Sequence, residues 1–432
     1  MSGLLPLLAK ERQVVLLVPE AKLAYFKERF SGENIIVRGV STSVPAHDLF
    51  FRKLILAHTK TRALYIKKRA ELFKDHKYLS YFFSILPAFF LGRIRPYIQL
   101  LRKIDYKTAK DNAFKGLFDE FHPELVFATD VQNELDIALM REAKERNIRI
   151  VGMVRSWDNL TSKGILRLVP EELVVHNNII KAEAETLSFV NGEHISVIGI
   201  PHYDRYVRAI KETKNKVALR EKFLRSHGLD PKKKFILFAP FGNRYIRDNK
   251  TDLQILEFLS EIDANILVRL PPTDAVNFDG WKSHNAKVAF YKSGNRAWQG
   301  GEKLNEISEE DEEELVQSLL SANVVVTGQS TIAVDACAFD VPTVVACFDQ
   351  EPRTYFDSVK RFYDYEYYEK FKSEGGIRVA ESGTELISFT REYLNDRKKD
   401  HQARLRSIEA QGYKLDGKAT ERLASILLRH GS

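Results

Sequence analysis

The chain has only two cysteines, Cys337 and Cys347, in 432 residues. That excludes a disulfide scaffold and a cysteine-based zinc site. Both lie in apolar runs, where reduced core thiols are expected. Apolar runs are short throughout. None approaches the ~18 residues that a membrane-spanning helix needs. The opening stretch, MSGLLPLLAKER, is too short in its apolar part for a signal peptide and has no basic residue ahead of it, so a cytoplasmic location is expected. The P-loop pattern G-x-x-x-x-G-K-[ST] and the dinucleotide fingerprint G-x-G-x-x-G are both missing, which argues against an NTPase or an NAD enzyme. No D-x-D pair stands at a strand end to hold a divalent ion, so no metal is expected.

Apolar material is plentiful, with 27 Phe and 17 Tyr, enough for large cores. At ~100–200 residues per domain the length suggests two or three domains. The net charge of +7 is unevenly placed. From Arg52 to Lys110 there are 15 Lys and Arg against Glu71, Asp75 and Asp105, a net of +12. Such a block concerns partners more than fold. Within it, Leu79–Gly92 reads LSYFFSILPAFFL-G, with Pro87 to kink a helix and Arg93 and Arg95 behind it. An anionic membrane surface engaged through residues 52–110, making the protein peripheral on the inner face, is one expectation. A helix buried in the first domain is the other. The aromatics do not interleave with the cations, so nucleic acid is not an expected partner.

Short apolar, β-branched runs alternate with helix-like stretches. Strands are predicted at Gln13–Pro19, Asn34–Gly39, Glu124–Asp130, Ile148–Ser156, Glu172–Asn177 and Ile195–Pro201. A second series runs Lys234–Pro240, Asn265–Pro271, Lys287–Ser293, Asn323–Gly328 and Thr343–Asp349. Continuous runs such as FILFAP and NVVVTG mark strands covered on both faces, as in parallel sheets. The prediction is an α/β chain of two Rossmann-like doubly wound domains facing each other across a cleft. The boundaries are 1–200, with a basic helical insertion at about 46–112, and 201–432 with C-terminal helices. Ser308 before Glu309, Glu310 and Asp311 predicts a capped helix start.

Ligands of open α/β sheets bind beyond the carboxyl ends of the strands, so the residues just after each strand matter most. After NVVVTG, Gln329, Ser330 and Thr331 open a helix whose free N–H groups and hydroxyls could hold a phosphate, with Asp335 placed for a ribose hydroxyl. Ser330 as a plain N-cap is the competing reading. After FILFAP come Gly242, Asn243 and Arg244, and after the next strand Arg269 and Pro271-Pro272; a glycine admits close backbone approach and an arginine can grip a phosphate. In the first half Asp130 ends one strand. The next runs into Trp157-Asp158-Asn159-Leu160-Thr161-Ser162-Lys163, an unusual mixture for a plain turn. Asp158 either caps its own turn or serves as general base, with Asp130 its reserve, and Trp157, Asn159, Thr161 and Lys163 would form the acceptor loop. His202, after Ile195–Pro201, either faces the cleft or caps the next helix.

Taken together, these residues resemble the GT-B glycosyltransferase superfamily, and more narrowly the CDP-glycerol glycerophosphotransferase and capsule polysaccharide biosynthesis group. The resemblance runs from about Val126 onward. Trp157-Asp158-Asn159-Leu160-Thr161 looks like that group's Trp-His-Gly-Thr loop. Ser330-Thr331 and Asp335 look like its Ser-Ser turn and acidic residue. Asp416-Gly417-Lys418-Ala419-Thr420 is similar to its Asp-Gly-Lys-Ala-Ser ending. Asp158 stands where the group has His, Gly328-Gln329 replaces an acidic-aromatic pair, and Pro271-Pro272 stands for a His-Pro. The resemblance implies a metal-independent glycosyltransferase without a cofactor. It would move a sugar from a nucleotide-sugar donor to a hydroxyl of a cell-surface glycan or lipid-linked acceptor. Alternatives on the same fold are a CDP-glycerol-type glycerophosphotransferase, a nucleotide-sugar 2-epimerase, and a non-catalytic nucleotide-sugar or glycan-binding protein.

Overall fold

The computed structural model describes residues 3–109, 113–243, 246, 249–272, 274, 276, 278–293 and 307–429. Two compact units divide the chain: Met1–Asp204 with Ala410–Ser432, and Arg205–Glu409.

In unit 1, β1 (Val14–Pro19) and β2 (Ile35–Val40) pair in parallel as their own two-stranded sheet. A second parallel sheet follows in chain order: β3 (Leu125–Ala128), β4 (Arg149–Met153), β5 (Glu172–Val175) and β6 (Ile195–Val197). Its strands alternate between two buried faces, as the two-residue period of a strand requires. Val126, Ile150, Leu173 and Val175 join a core built with helix Glu134–Glu145 and helix Asn178–Ser188. Val151, Met153 and Val174 face the other way, onto Leu423, Ile426 and Leu427 of the C-terminal helix Ala419–Arg429. That helix therefore belongs to unit 1, a correction to the expected 201–432 domain. The cause is long-range: the Asp204 carboxylate accepts the N–H groups of Ala419 and Thr420 at 3.0 and 2.7 Å, capping the helix from 215 residues away. The Asp-Gly-Lys-Ala-Thr ending is the start of this helix, held further by Arg422, which donates to Ile198 O at 2.7 Å and to Asp416 at 2.8 Å.

Five helices separate the two sheets of unit 1; Ala46–His58, Arg62–Lys74, Tyr78–Leu91 and Arg95–Thr108 make up the insertion, and the short Lys115–Phe121 leads into β3. The insertion is bolted to the sheet domain by a buried charge cluster. Arg167 Nη2 and Arg141 Nη2 donate to Asp48 Oδ1 at 2.7 and 2.8 Å, and both guanidinium groups also reach Asp105. Burial alone would raise the Asp48 pKa. The hydrogen bonds and charges of Arg141 and Arg167 outweigh it and hold the carboxyl below its ordinary range. His47 stands beside the two aspartates, 3.7 Å from Asp105, in an arrangement that a metal could use. Both guanidinium groups engage both carboxylates, so the cluster is an ion-pair network.

Unit 2 holds one parallel six-stranded sheet: β7 (Phe235–Ala239), β8 (Asn265–Leu270), β9 (Lys287–Lys292), β10 (Val324–Thr327), β11 (Thr343–Ala346) and β12 (Arg378–Ala380). The spatial order is β12-β11-β10-β7-β8-β9. Counted from the first strand of the unit this is 3-2-1-4-5-6, the Rossmann order, and it reverses direction between β7 and β10. Phe235 to Phe238 and Val324 to Val326 are wholly buried, because helices cover both faces. Each strand expected from the sequence is present, mostly one to three residues shorter. β12 was not expected: three residues with Arg378 first give no readable apolar run. Ser308 and Asp311 form the capping box that opens helix Glu309–Ser321. Both cysteines are buried free thiols, pushed up to about 12 by burial.

Candidate functional site

Two places gather chemistry, one in each unit. In unit 1 the chain turns sharply after β3, and Asp130 follows, 5% exposed. Its Oδ1 accepts the Gln132 N–H at 3.2 Å and Asn159 Nδ2 at 3.5 Å, and its Oδ2 pairs with Lys163 Nζ at 3.2 Å. A cavity of about 300 Å³ opens here. Asp130, Gln132, Ser162 and Lys163 form its polar side, and Arg52, Ile55 and Leu56 reach it from helix Ala46–His58. Arg167 of the buried cluster closes one edge. Gln132 is fixed by donating to Gly164 O, while its own buried Oε1 has no hydrogen-bond partner among the described residues. Gly164 needs its positive φ of 98° to turn back, and a Cβ there would press on Thr59 Oγ1 at 3.1 Å.

Asp130 has a second carboxylate behind it. Asp136 Oδ2 accepts the Asp130 N–H at 2.9 Å. Burial, with the Asp130 charge adding to it, pushes the Asp136 carboxyl up to about 7, although the Asp130 N–H pulls the other way. A carboxyl raised from 3.8 binds its proton more tightly in the folded chain. Its contribution to stability is therefore full below the unfolded value and is lost as pH rises from about 4 to about 7. Asp136→Asn mimics the protonated form. The variant should gain on the wild type across that window, by on the order of 4 kcal/mol once the window is passed. Thermal melts at several pH values check it: a pH-independent difference would show that the Asp136 carboxyl is not raised.

Asp158 is placed differently from Asp130. It precedes the short helix Asn159–Ser162, and its two carboxylate oxygens accept Ser156 Oγ at 2.7 Å and Ser162 Oγ at 2.9 Å. It holds its own turn together and does not line the cavity. Trp157 packs half-buried against the unit 1 core, which accounts for its presence in the loop. Thr161 is buried, donates to Asp158 O at 3.1 Å, and its carbonyl accepts Thr61 Oγ1 at 2.7 Å from the helical insertion. Of the expected acceptor loop, Asn159 and Lys163 meet Asp130, whereas Trp157 and Thr161 support the loop. His202 is half-buried in the turn after β6, ahead of helix Tyr203–Glu212, and does not line the cavity. Arg52, Gln132, Asp136 and Arg167 were missed. They are single polar residues on helices and turns, with no spacing signal of their own.

In unit 2 the sheet reverses between β7 and β10, and the loops that leave these two strands touch. A Cβ on Gly328 would lie 2.1 Å from the Phe241 ring, so only glycine fits after β10. Gly242 has φ 85° and is clamped from below: the buried Asp252 carboxylate accepts the N–H of Phe241 at 2.8 Å and of Gly242 at 3.0 Å. Burial pushes Asp252 up to about 6 despite these bonds. The Gly242 N–H, expected to approach a ligand, is thus spent on Asp252, and the Asp274 carboxylate crowds its other side. Asn243 is exposed at the tip of the loop, and Arg244 lies outside the described residues.

On the β10 side Gln329 donates to the Tyr367 hydroxyl at 2.7 Å. Thr331, exposed, is the N-cap of helix Ile332–Ala338 but has right-handed helical backbone, and its side chain caps nothing. Ser330 is half-buried beside it and is not the N-cap residue. Asp335 accepts a hydrogen bond from the buried Tyr206 hydroxyl, whose pKa burial drives far up. A free carboxylate for a ribose is therefore not what the fold presents at Asp335. Arg269 lies on β8, half-sunk over the Tyr291 ring at 5.1 Å, and donates Nη2 to Asp311 O at 3.0 Å. Desolvation lowers its pKa, and its buried Nη1 has no hydrogen-bond partner among the described residues.

A Rossmann-ordered sheet with a loop pair at its switch point, joined in one chain to a second parallel α/β unit, is an architecture of the GT-B type. The chain belongs to the CDP-Glycerol:Poly(glycerophosphate) glycerophosphotransferase family, whose sequence profile matches residues 169–429. The match takes in all of unit 2 and the C-terminal helix, and begins after Asp130 and Lys163. Solved structures similar to it include the following three. The glycotransferase of kitacinnamycin is 12% identical, covers 99% of this chain and 94% of its own, and has a TM-score of 0.50. UDP-GlcNAc 2-epimerase from Neisseria meningitidis, bound to UDP-GlcNAc, is 12% identical over 96% of this chain and 98% of its own, with a TM-score of 0.48. The wall teichoic acid polymerase TagF is 12% identical over 77% of this chain and 97% of its own, with a TM-score of 0.44. At such identities the likeness concerns the fold. No curated protein sequence matches the chain.

Proposed function

We propose that the protein is a glycosyltransferase that moves a sugar from a nucleotide-sugar donor to a hydroxyl of a glycan or lipid-linked acceptor, with the donor on unit 2 and the acceptor hydroxyl at Asp130 in unit 1. The observation that carries this reading is the reversal of the unit 2 sheet between β7 and β10, within the stretch that matches the family. At such a point the crossover helices leave to opposite faces, and nucleotides bind in the crevice between them. Ser330 and Thr331 sit there, Thr331 with a hydroxyl that its own helix does not use. The orphaned Nη1 of Arg269 is a donor that a phosphate oxygen would satisfy, and leaving it bare costs ~1–3 kcal/mol. These groups would stabilise the negative charge that builds on the departing nucleoside diphosphate. Asp130 would take the proton of the acceptor hydroxyl, and Lys163 would hold the carboxylate in place. The chemistry asks nothing of a metal ion where cationic and hydroxyl donors supply the field.

Family membership favours a second reading, in which an alditol phosphate is transferred and the acceptor oxygen attacks phosphorus. The two differ in what leaves: a nucleoside diphosphate from a sugar donor, a nucleoside monophosphate from a CDP-alditol donor. Incubating the full chain with UDP-, CDP-, GDP- and dTDP-linked donors and resolving the released nucleotide by chromatography decides between them. Release of neither, with tight nucleotide binding, would leave a binding protein.

The donor site has its own test. Ser330→Ala combined with Thr331→Ala removes two hydroxyls without removing a helix cap, so the melting temperature should hold. Hydrogen bonds to a charged partner are worth ~1.5–3 kcal/mol each, and nucleotide affinity should fall tenfold or more. Unchanged affinity by calorimetry would remove this site from consideration.

A further inference from the structure

Helix Tyr78–Leu91 carries no charged residue in its 14 positions, YLSYFFSILPAFFL, yet buries only Tyr81 and Ala88. Leu79, Phe82, Phe83, Leu86 and Phe90 stand 75%, 52%, 71%, 43% and 66% exposed, with Phe89 at 65%. The first five lie at i, i+3, i+4, i+7 and i+11, one stripe of the helix surface. Soluble surfaces seldom carry so many bare aromatic rings in one run, and a patch of this kind marks a surface that something covers. The opposite side is fixed: Tyr81 meets the Phe73 and Tyr65 rings edge-on at 5.1 and 6.0 Å. Gly92 brings the helix end so close to helix Ala46–His58 that a Cβ would lie 2.3 Å from His58 O. Lys68 Nζ ties the helix in, donating to Leu56 O at 2.8 Å and Ser84 O at 2.9 Å.

We propose that this helix is a membrane-docking surface, lying flat in the interface of an anionic bilayer with its aromatic stripe among the acyl chains. Length excludes the alternative of spanning: 14 residues rise ~21 Å, short of the ~30 Å hydrocarbon core, and Pro87 interrupts the helix besides. Among the described residues no helix is long and apolar enough to cross a membrane. Charge selects lipid over a second copy of the chain. Exposed Lys74 and Lys77 flank one end and Arg93 and Arg95 the other, and Lys60 Nζ sits 4.5 Å above the Phe89 ring. Self-association would bring two such cationic fringes together, whereas anionic headgroups neutralise them. Long basic side chains whose heads stay at the polar boundary while rings go deeper are the pattern of interfacial helices. The docking helix packs on helix Ala46–His58, and Arg52, Ile55 and Leu56 of that same helix line the Asp130 cavity. A docked insertion therefore holds that cavity close to the lipid surface, whichever donor the enzyme takes.

The test uses the full chain and sucrose-loaded vesicles of phosphatidylcholine alone or mixed with phosphatidylglycerol. The protein should sediment with the mixed vesicles, and less so as salt is added. Phe83→Glu with Phe90→Glu changes two exposed residues, so the fold should stand, and the partition coefficient should drop about a hundredfold or more, since each buried ring contributes ~1.5–3 kcal/mol. The Phe83→Trp variant should show a blue shift on vesicle addition and be quenched by brominated acyl chains. Absence of binding to mixed vesicles, binding that Phe83→Glu/Phe90→Glu leaves intact, or indole emission of the Phe83→Trp variant unmoved by lipid would overturn the proposal. So would a lipid-independent dimer that the same double substitution dissolves. Donor turnover on a soluble acceptor is unaffected by any of these outcomes.

Discussion

Asp130→Asn should abolish most turnover while leaving donor binding nearly untouched. The substitution keeps the shape of the side chain and the bond from Gln132 N–H, and removes the basic oxygen that would take the acceptor proton. A positioned general base contributes ~10²–10⁴ in rate, so kcat should fall at least a hundredfold. Nucleotide affinity, read by calorimetry on unit 2 ligands, should shift by less than about twofold. Asp158→Asn provides the contrast. Its two oxygens are occupied by Ser156 and Ser162, so its loss should loosen the turn and lower the melting temperature more than it lowers kcat. Lys163→Met should fall between the two, because it frees Asp130 Oδ2 but leaves the base in place. If Asp158→Asn is the dead variant and Asp130→Asn turns over normally, the turn carries the chemistry and the cavity does not. If both turn over, His202 is the next residue to replace.

The strands were legible because a strand covered on both faces needs a largely apolar run, and FILFA, the ILV of NILVRL and VVVT supply one. The turn after β10 was legible for a related reason: a glycine and two hydroxyls where a strand meets a helix have few other uses. Contacts made across long sequence separations were not legible. Nothing in TGQST says that Gly328 is there to make room for Phe241, 87 positions earlier. Nothing in FAPFGN says that Asp252 will spend the Gly242 N–H. The C-terminal helix was assigned to the wrong unit because its cap, Asp204, lies on the far side of unit 2 in the sequence. For the two candidate bases the sequence carries a clue that favours the turn-capping reading of Asp158. Serines at i−2 and i+4 from Asp158 are well placed to bond its carboxylate, and a carboxylate satisfied within its own turn is less available as a base. Asp130 is engaged too, by the Gln132 N–H, Asn159 and Lys163, and what sets it apart is the cavity it lines, whose Arg52 and Arg167 are distant in the chain.

The largest loss of stability should come from Asp105→Ala. Asp48, Asp105, Arg141 and Arg167 are 1%, 3%, 4% and 6% exposed, so the cluster is closed to water. Two carboxylates and two guanidinium groups balance in charge, and each carboxylate accepts from both arginines. Deleting Asp105 leaves two buried cations facing one anion. Water cannot reach the orphaned guanidinium, and breaking a buried pair from one side typically costs ~3–5 kcal/mol. In a unit of this size that should lower the melting temperature by on the order of 10 °C. The helices that carry Asp48 and Asp105 should loosen first, since the cluster is their buried charged tie to helix Glu134–Glu145 and to Arg167, beside the bonds of Arg102 to Leu166 O and Ser188 O. Hydrogen exchange would then show lost protection over 46–108 ahead of the sheet. Replacing all four residues by apolar side chains of similar volume should do much less harm, because it removes the desolvation cost together with the pairing. Calorimetric melting of the two variants separates the cases. An Asp105→Ala chain that melts within a degree or two of wild type would mean that water enters the cluster and that the insertion is held by apolar packing instead.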